Sequence, residues 1–81
     1  MEIIKGQIVR SGAGRDKDGF FVVLEKKDGY ATICDGKRRS LEKPKKKKIK
    51  HLFVTKNEVD ESLMTTNRSI RKSLSSFNNK V

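Results

Sequence analysis

Residues 36–51 read Gly-Lys-Arg-Arg-Ser-Leu-Glu-Lys-Pro-Lys-Lys-Lys-Lys-Ile-Lys-His. Lys37, Arg38, Arg39, Lys43, Lys45, Lys46, Lys47, Lys48 and Lys50 carry positive charge in this stretch, and only Glu42 opposes them. An unpaired charge taken out of water costs several kcal/mol, so a cluster this dense must face solvent or a polyanion. The chemistry open to it is electrostatic: ammonium and guanidinium groups donating charge-assisted hydrogen bonds to phosphate oxygens. Leu41, Ile49 and Leu52 punctuate the stretch. It is therefore expected to be a loop tethered between two strands rather than a free tail.

A second candidate is the loop of residues 11–19, Ser-Gly-Ala-Gly-Arg-Asp-Lys-Asp-Gly. Its glycines let a phosphate approach backbone amides, and Arg15 and Lys17 stand beside them. The spacing of a nucleotide-binding Gly-x-x-x-x-Gly-Lys-Ser/Thr loop is missing. Other reactive types are sparse. His51 is the only histidine and Cys34 the only cysteine. No nucleophile is placed with His51 by any motif, and one Cys plus one His cannot close a zinc site of about four ligands. His51 reads as a partly exposed strand residue able to contact or stack on RNA, and Cys34 as a small strand side chain. Glu58, Asp60 and Glu61 lack the alternating oxygen-ligand pattern of a calcium loop and are expected to shield the basic face or to start a helical turn. No cofactor and no catalytic residue is expected.

The elements that must position these groups fit one small domain. The chain has 81 residues and a formal net charge of +10. A core of that size supplies only about 3–5 kcal/mol, which leaves little scope for a deep catalytic cleft. The charge makes a polyanionic partner the leading expectation. A single cysteine forms no intrachain disulfide, which suits a reducing compartment. No apolar run approaches the roughly 20 residues of a membrane span, and the N-terminal residues lack the apolar stretch of a signal peptide. Cytoplasmic residence, a monomer, and neither membrane nor small-molecule partner are the resulting expectations.

Strand one is expected at 2–10 and strand two at 20–25, where Phe20-Phe21-Val22-Val23-Leu24 is the strongest β run. At least one of Phe20 and Phe21 must point inward. Asp28-Gly29 marks a hairpin into strand three at 30–34. Asp35-Gly36 suggests a second tight hairpin into strand four at 37–41. On that strand Arg38 and Arg39 alternate, so only one of them shares the polyanion-facing surface with the lysine loop. Pro44 lacks an amide hydrogen, so residues 42–48 are expected to leave the sheet before strand five at 49–54. Five short strands with tight turns predict a mainly β fold, a small closed barrel over 1–56. Residues 57–81 are then an acidic linker and a short helix at 67–78, with Ile70, Leu74 and Phe77 on one face and a Ser- and Asn-rich end (Ser73, Ser75, Ser76, Asn78, Asn79) inclined to fray.

The block from Gly6 to Lys17, Gly-Gln-Ile-Val-Arg-Ser-Gly-Ala-Gly-Arg-Asp-Lys, followed by Phe20-Phe21-Val22-Val23, resembles a KOW motif. With Asp35-Gly36-Lys37-Arg38-Arg39 and Lys50-His51-Leu52, it is similar to one KOW group. That group comprises the archaeal and eukaryotic large-subunit ribosomal proteins of the fourteen-e type and small bacterial KOW-domain RNA-binding proteins. The likeness covers about residues 2–54, with a weaker echo at 66–72. It implies a five-stranded SH3-like barrel that binds RNA, commonly ribosomal RNA. Gly14 matches the motif's characteristic glycine, Arg15 and Lys17 its basic loop, and Arg10 and Ser11 lead into that loop. Asp18 departs from the pattern and lowers the positive charge there, which makes the polylysine run the stronger expected contact. The expectation is a non-enzymatic, RNA-binding, ribosome-associated protein. A protein-interaction module and a DNA-binding or transcription-complex KOW domain are its rivals.

Overall fold

The computed structural model describes residues 3–78. Its strands are β1 (Gln7–Ser11), β2 (Phe20–Lys27), β3 (Tyr30–Cys34), β4 (Lys45–Lys48) and β5 (Leu52–Glu58), followed by α1 (Asn67–Ser73) and α2 (Ser75–Asn78). They form one antiparallel five-stranded sheet in the order β4-β3-β2-β1-β5. The mainly β, small barrel-like fold with a short C-terminal helix is the one expected.

The continuous apolar run in β2 follows from a sheet buried on both faces. Neighbouring strand residues project to opposite sides. Val9, Phe21, Val23, Ala31 and Ile33 form one cluster with Ile3 and Leu52. Ile8, Val22 and Cys34 form the other, covered by Val59, Met64, Ile70 and Leu74. A helix as short as α1 is marginal in water, and burying Ile70 and Leu74 contributes about 1.5–3 kcal/mol each toward holding it. Thr66 caps α1 by accepting the Ser69 amide at 3.1 Å. The expected apolar face of 70, 74 and 77 is present, with Phe77 at 5.2 Å from the Phe20 ring. Asn78 does not fray: its side chain accepts from Phe20 N at 2.9 Å and donates to Phe20 O at 3.1 Å, as a neighbouring strand would. Asn79 lies outside the described residues.

Several expected boundaries are corrected. β1 begins at Gln7, because residues 5–6 turn so that Gly6 bonds Val23 O and Val59 N. The 28–29 hairpin is present, with Asp28 and Gly29 both at positive φ as a tight hairpin turn requires. The second hairpin and a strand at 37–41 are absent; residues 35–43 make an irregular loop. Strand four is instead the lysine run itself, Lys45 to Lys48 pairing with Ile33 to Tyr30. Pro44 stands just before the strand, where its missing amide hydrogen breaks no ladder bond. Strand five starts at Leu52 because Ile49–His51 is a 3-10 turn. Asp60 starts a helical turn, as expected of one of the acids, by accepting from Ser62 N at 2.9 Å.

Candidate nucleic-acid interface

The β1–β2 connection folds as a 3-10 turn, Gly14–Asp16, which carries Asp16 inward. The Asp16 side chain keeps only 4% of its surface exposed. Arg39 reaches it with two hydrogen bonds, Nε to Oδ1 at 3.2 Å and Nη2 to Oδ2 at 3.0 Å. Lys47 adds its ammonium at 3.5 Å from Oδ2, with its side chain only 10% exposed. Burial pushes the Asp16 carboxyl up. The hydrogen bonds and charge of Arg39, then those of Lys47, more than offset that push and leave it below its ordinary value. One buried carboxylate thus ties together three segments distant in sequence: the glycine turn, the 35–39 loop and β4.

The 35–39 loop is shaped locally. Asp35 Oδ1 accepts from both Lys37 N and Arg39 N at 2.9 Å. Gly36, at φ +78°, lies so close to the Asn67 carbonyl that a Cβ there has no room. Asn67 fastens the far end, accepting from Leu41 N at 2.7 Å and donating to Glu42 Oε1 at 2.9 Å. With its base pinned to α1 and Arg39 turned in to Asp16, the loop projects Lys37 and Arg38 outward.

Arg15, Lys17, Lys37, Arg38 and Arg71 line a concavity of about 350 Å³, with Asp35, Gly19, Phe21, Ser75 and Asn78 among its other walls. The side chains of those five cations form no salt bridge among the described residues. Asp16, which borders the same space, is already neutralised by Arg39 and Lys47. The arrangement is therefore a positive hollow able to hold phosphate.

Of the residues singled out from sequence, Arg15, Lys17, Lys37 and Arg38 converge there. Arg39 and Lys47 do not face outward; they hold Asp16. The lysine run is an edge strand rather than a loop, so its side chains divide. Lys45 and Lys47 share a face with their partners Ile33 and Ala31. Lys46 and Lys48 lie on the other face with Thr32 and Tyr30, and the Lys46 ammonium sits 5.8 Å from the Tyr30 ring centroid. None of Lys43, Lys45, Lys46, Lys48 and Lys50 lines the hollow, although all are exposed. Arg10 pairs with Asp18 at 2.8 Å and lies over the exposed Phe53 ring at 4.6 Å. Ser11 is fully buried and donates to Ala13 O at 3.2 Å. Gly14, at φ +74°, leaves room for the Lys47 ammonium, which lies 3.2 Å from where a Cβ would stand. His51 is half-buried, and its carbonyl accepts from Gly12 N at 2.8 Å.

Two residues of the candidate site escaped the sequence reading. Asp16 is one acid among cations, and nothing local marks it as buried. Arg71 follows Ile70 directly, about 100° round the helix from the docked stripe, which puts it at the rim of the contact. Cys34 is buried, and its thiol is raised to about 11, first by burial and then by the charge of Asp35, so it stays protonated. Among the described residues no group of three or more His, Cys, Asp or Glu side chains could hold a metal ion, and no helix is long and apolar enough to cross a membrane. A scan against protein-family models and a search of curated proteins gave no match to this chain.

Proposed function

We propose that this chain is a non-enzymatic RNA-binding protein that grips phosphates in the hollow formed by the glycine turn, the 35–39 loop and the C-terminal helix. Ribosomal RNA is the class that the KOW resemblance implies. The observation that carries the reading is the convergence on one concave surface of five cations, from three separate segments, that form no salt bridge among the described residues. Like charges gathered at fixed positions repel one another, so their alignment is costly unless an anion occupies the space between them. Phosphate contacts supply affinity and orientation, and neighbouring backbone shape contributes the rest. The exposed lysines of β4 add to the surrounding positive potential without entering the hollow.

The test is RNA affinity measured by fluorescence anisotropy across a salt series. Five phosphate contacts predict a fall of about a hundredfold or more between 50 and 200 mM salt. Replacing Arg15, Lys37, Arg38 or Arg71 singly by Gln should flatten the log–log slope by about 0.7–0.9 each, while Lys43→Gln and Lys50→Gln change it less. A slope near zero in the parent chain removes the proposal, and equal binding of duplex DNA at fixed salt favours the DNA-binding alternative. Sucrose-gradient fractionation with crosslinking tests the ribosomal part: recovery only in light fractions without RNA removes it.

A further inference from the structure

We infer that the hollow takes in a single unpaired nucleotide of the RNA, its own and the flanking phosphates held by the lining cations and its base lodged between Gly19, Phe21 and Ser75. The inference rests on the RNA-binding reading above and specifies which RNA feature that site recognises. Size is the first ground. A space of about 350 Å³ lies at the low end of small-ligand sites, roughly 300–1,000 Å³, and so suits one nucleotide. A duplex presents its phosphates on convex ridges and would touch only the rim.

The chemistry of the walls is the second ground. A surface that merely tracks a backbone needs only cations. Here the lining also includes Gly19, the edge of the largely buried Phe21 ring, Ser75 and Asn78, none of which is charged. Gly19 sends no side chain into the space and lies against the edge of the Phe21 ring. Asp35 also borders the hollow. A carboxylate among cations repels a continuous run of phosphates, yet it accepts readily from the N–H edge of a base. Unpaired bases, splayed out of loops and bulges, are the usual targets of sequence-selective RNA recognition, stacked on aromatic rings or guanidinium planes and read along their edges. Arg15, Arg38 and Arg71 supply such planes in the lining.

The test compares two hairpin RNAs with the same stem and ends, both closed by the same non-nucleotide linker so that neither has unpaired loop bases, one carrying a single-nucleotide bulge. At about 0.15 M salt the bulged RNA is expected to bind about tenfold tighter, within what one stacked base contributes. Ser75→Trp fills the space from α2 and leaves every cation in place; it should reduce the bulged RNA to the affinity of the plain hairpin, whereas Ser76→Trp, exposed on the same helix but outside the hollow, keeps the preference. Independently of any variant, nucleoside monophosphates titrated into the ¹⁵N-labelled native chain should shift the amides of Gly19, Asp35 and Ser75. Equal binding of the two hairpins, or monophosphate shifts confined to other residues, overturns the inference while leaving RNA binding intact. If neither hairpin binds, the RNA-binding reading itself falls.

Discussion

Asp16→Asn removes one negative charge and almost no volume, so it isolates the electrostatic role of the buried carboxylate. In the native chain that group faces a bidentate Arg39 and the largely buried Lys47 ammonium. Stripping one partner from a buried ion pair costs about 3–5 kcal/mol, because the remaining charge is stranded. Arg39 keeps 29% of its side chain exposed and can recover some solvation. The expected loss is therefore about 2–4 kcal/mol. A chain of this length has a total stability of about 4–12 kcal/mol, and each kcal/mol moves Tm by about 4–8 °C. Urea unfolding at 25 °C, followed by circular dichroism, measures the loss, and Tm should fall by about 10–30 °C. Adding Lys47→Met should restore part of the stability, since the stranded cation is then gone. The pH dependence follows from the same group. Against the upward push of burial, Arg39 and Lys47 hold the carboxyl below 3.8 in the folded chain. Its contribution is therefore complete above the unfolded value, about 3.9, and is lost as pH falls through the folded one. The gap in Tm between parent and variant should stay constant from about pH 5 to 8 and close below about pH 4. A variant within about 3 °C of the parent at neutral pH would refute the reasoning, since that is under 1 kcal/mol at this size.

The β4 lysines should separate into two classes. Lys47→Gln is expected to cost about 1–3 kcal/mol in urea unfolding, because it leaves Asp16 with one cation, while Lys45→Gln, Lys46→Gln and Lys48→Gln should each stay within about 0.5 kcal/mol; equal effects at all four positions would mean that the Asp16 contact is not formed. Glycine substitutions should separate as well. Gly29→Ala meets nothing within 4 Å and should lose only the strain of its φ of +81°, about 1 kcal/mol. Gly36→Ala has the same left-handed backbone and also drives a methyl group into the Asn67 carbonyl, so its loss should be about 2–4 kcal/mol. Comparable melting temperatures for the two variants would show that the 35–39 loop does not press on α1.

The parts of the fold that were legible are those where the side chains themselves choose the conformation. Phe20 to Leu24 and the alternation from Tyr30 to Cys34 are β-prone, and Asp28-Gly29 between them demands a tight turn. Ile70 and Leu74 carry a helical period that solvent alone does not explain. β4 was not legible, because a run of lysines has low strand propensity and no alternation of apolar with polar. It becomes a strand only because β3 offers a row of unpaired backbone groups, a tertiary cause invisible in the run itself. The error carried into the site. Treated as a loop, residues 45–48 were free to present four ammonium groups together; as a strand they must alternate. Arg15, Lys17, Lys37 and Arg38 were recognisable as basic residues in glycine-bearing turns, but that they face a common space with Arg71 depends on α1 docking beside the 35–39 loop.

The densest charge in the sequence and the candidate site are thus different places, and the edge position of β4 explains why both exist. An end strand exposes unpaired amides and carbonyls that invite pairing with another chain, and lysines along such an edge discourage it. Lys45, Lys46 and Lys48 suit that purpose, since like charges on two approaching copies repel. Lys47 is drawn out of this role by the sheet's alternation, which turns it toward the turn that carries Asp16. There it holds the acid jointly with Arg39, and Asp16 fixes the spacing between the glycine turn and the 35–39 loop. That spacing sets the distance between Arg15 and Lys17 on one wall of the hollow and Lys37 and Arg38 on the other. A buried negative charge therefore governs how the surface cations of the hollow are spaced, although it pairs with none of them.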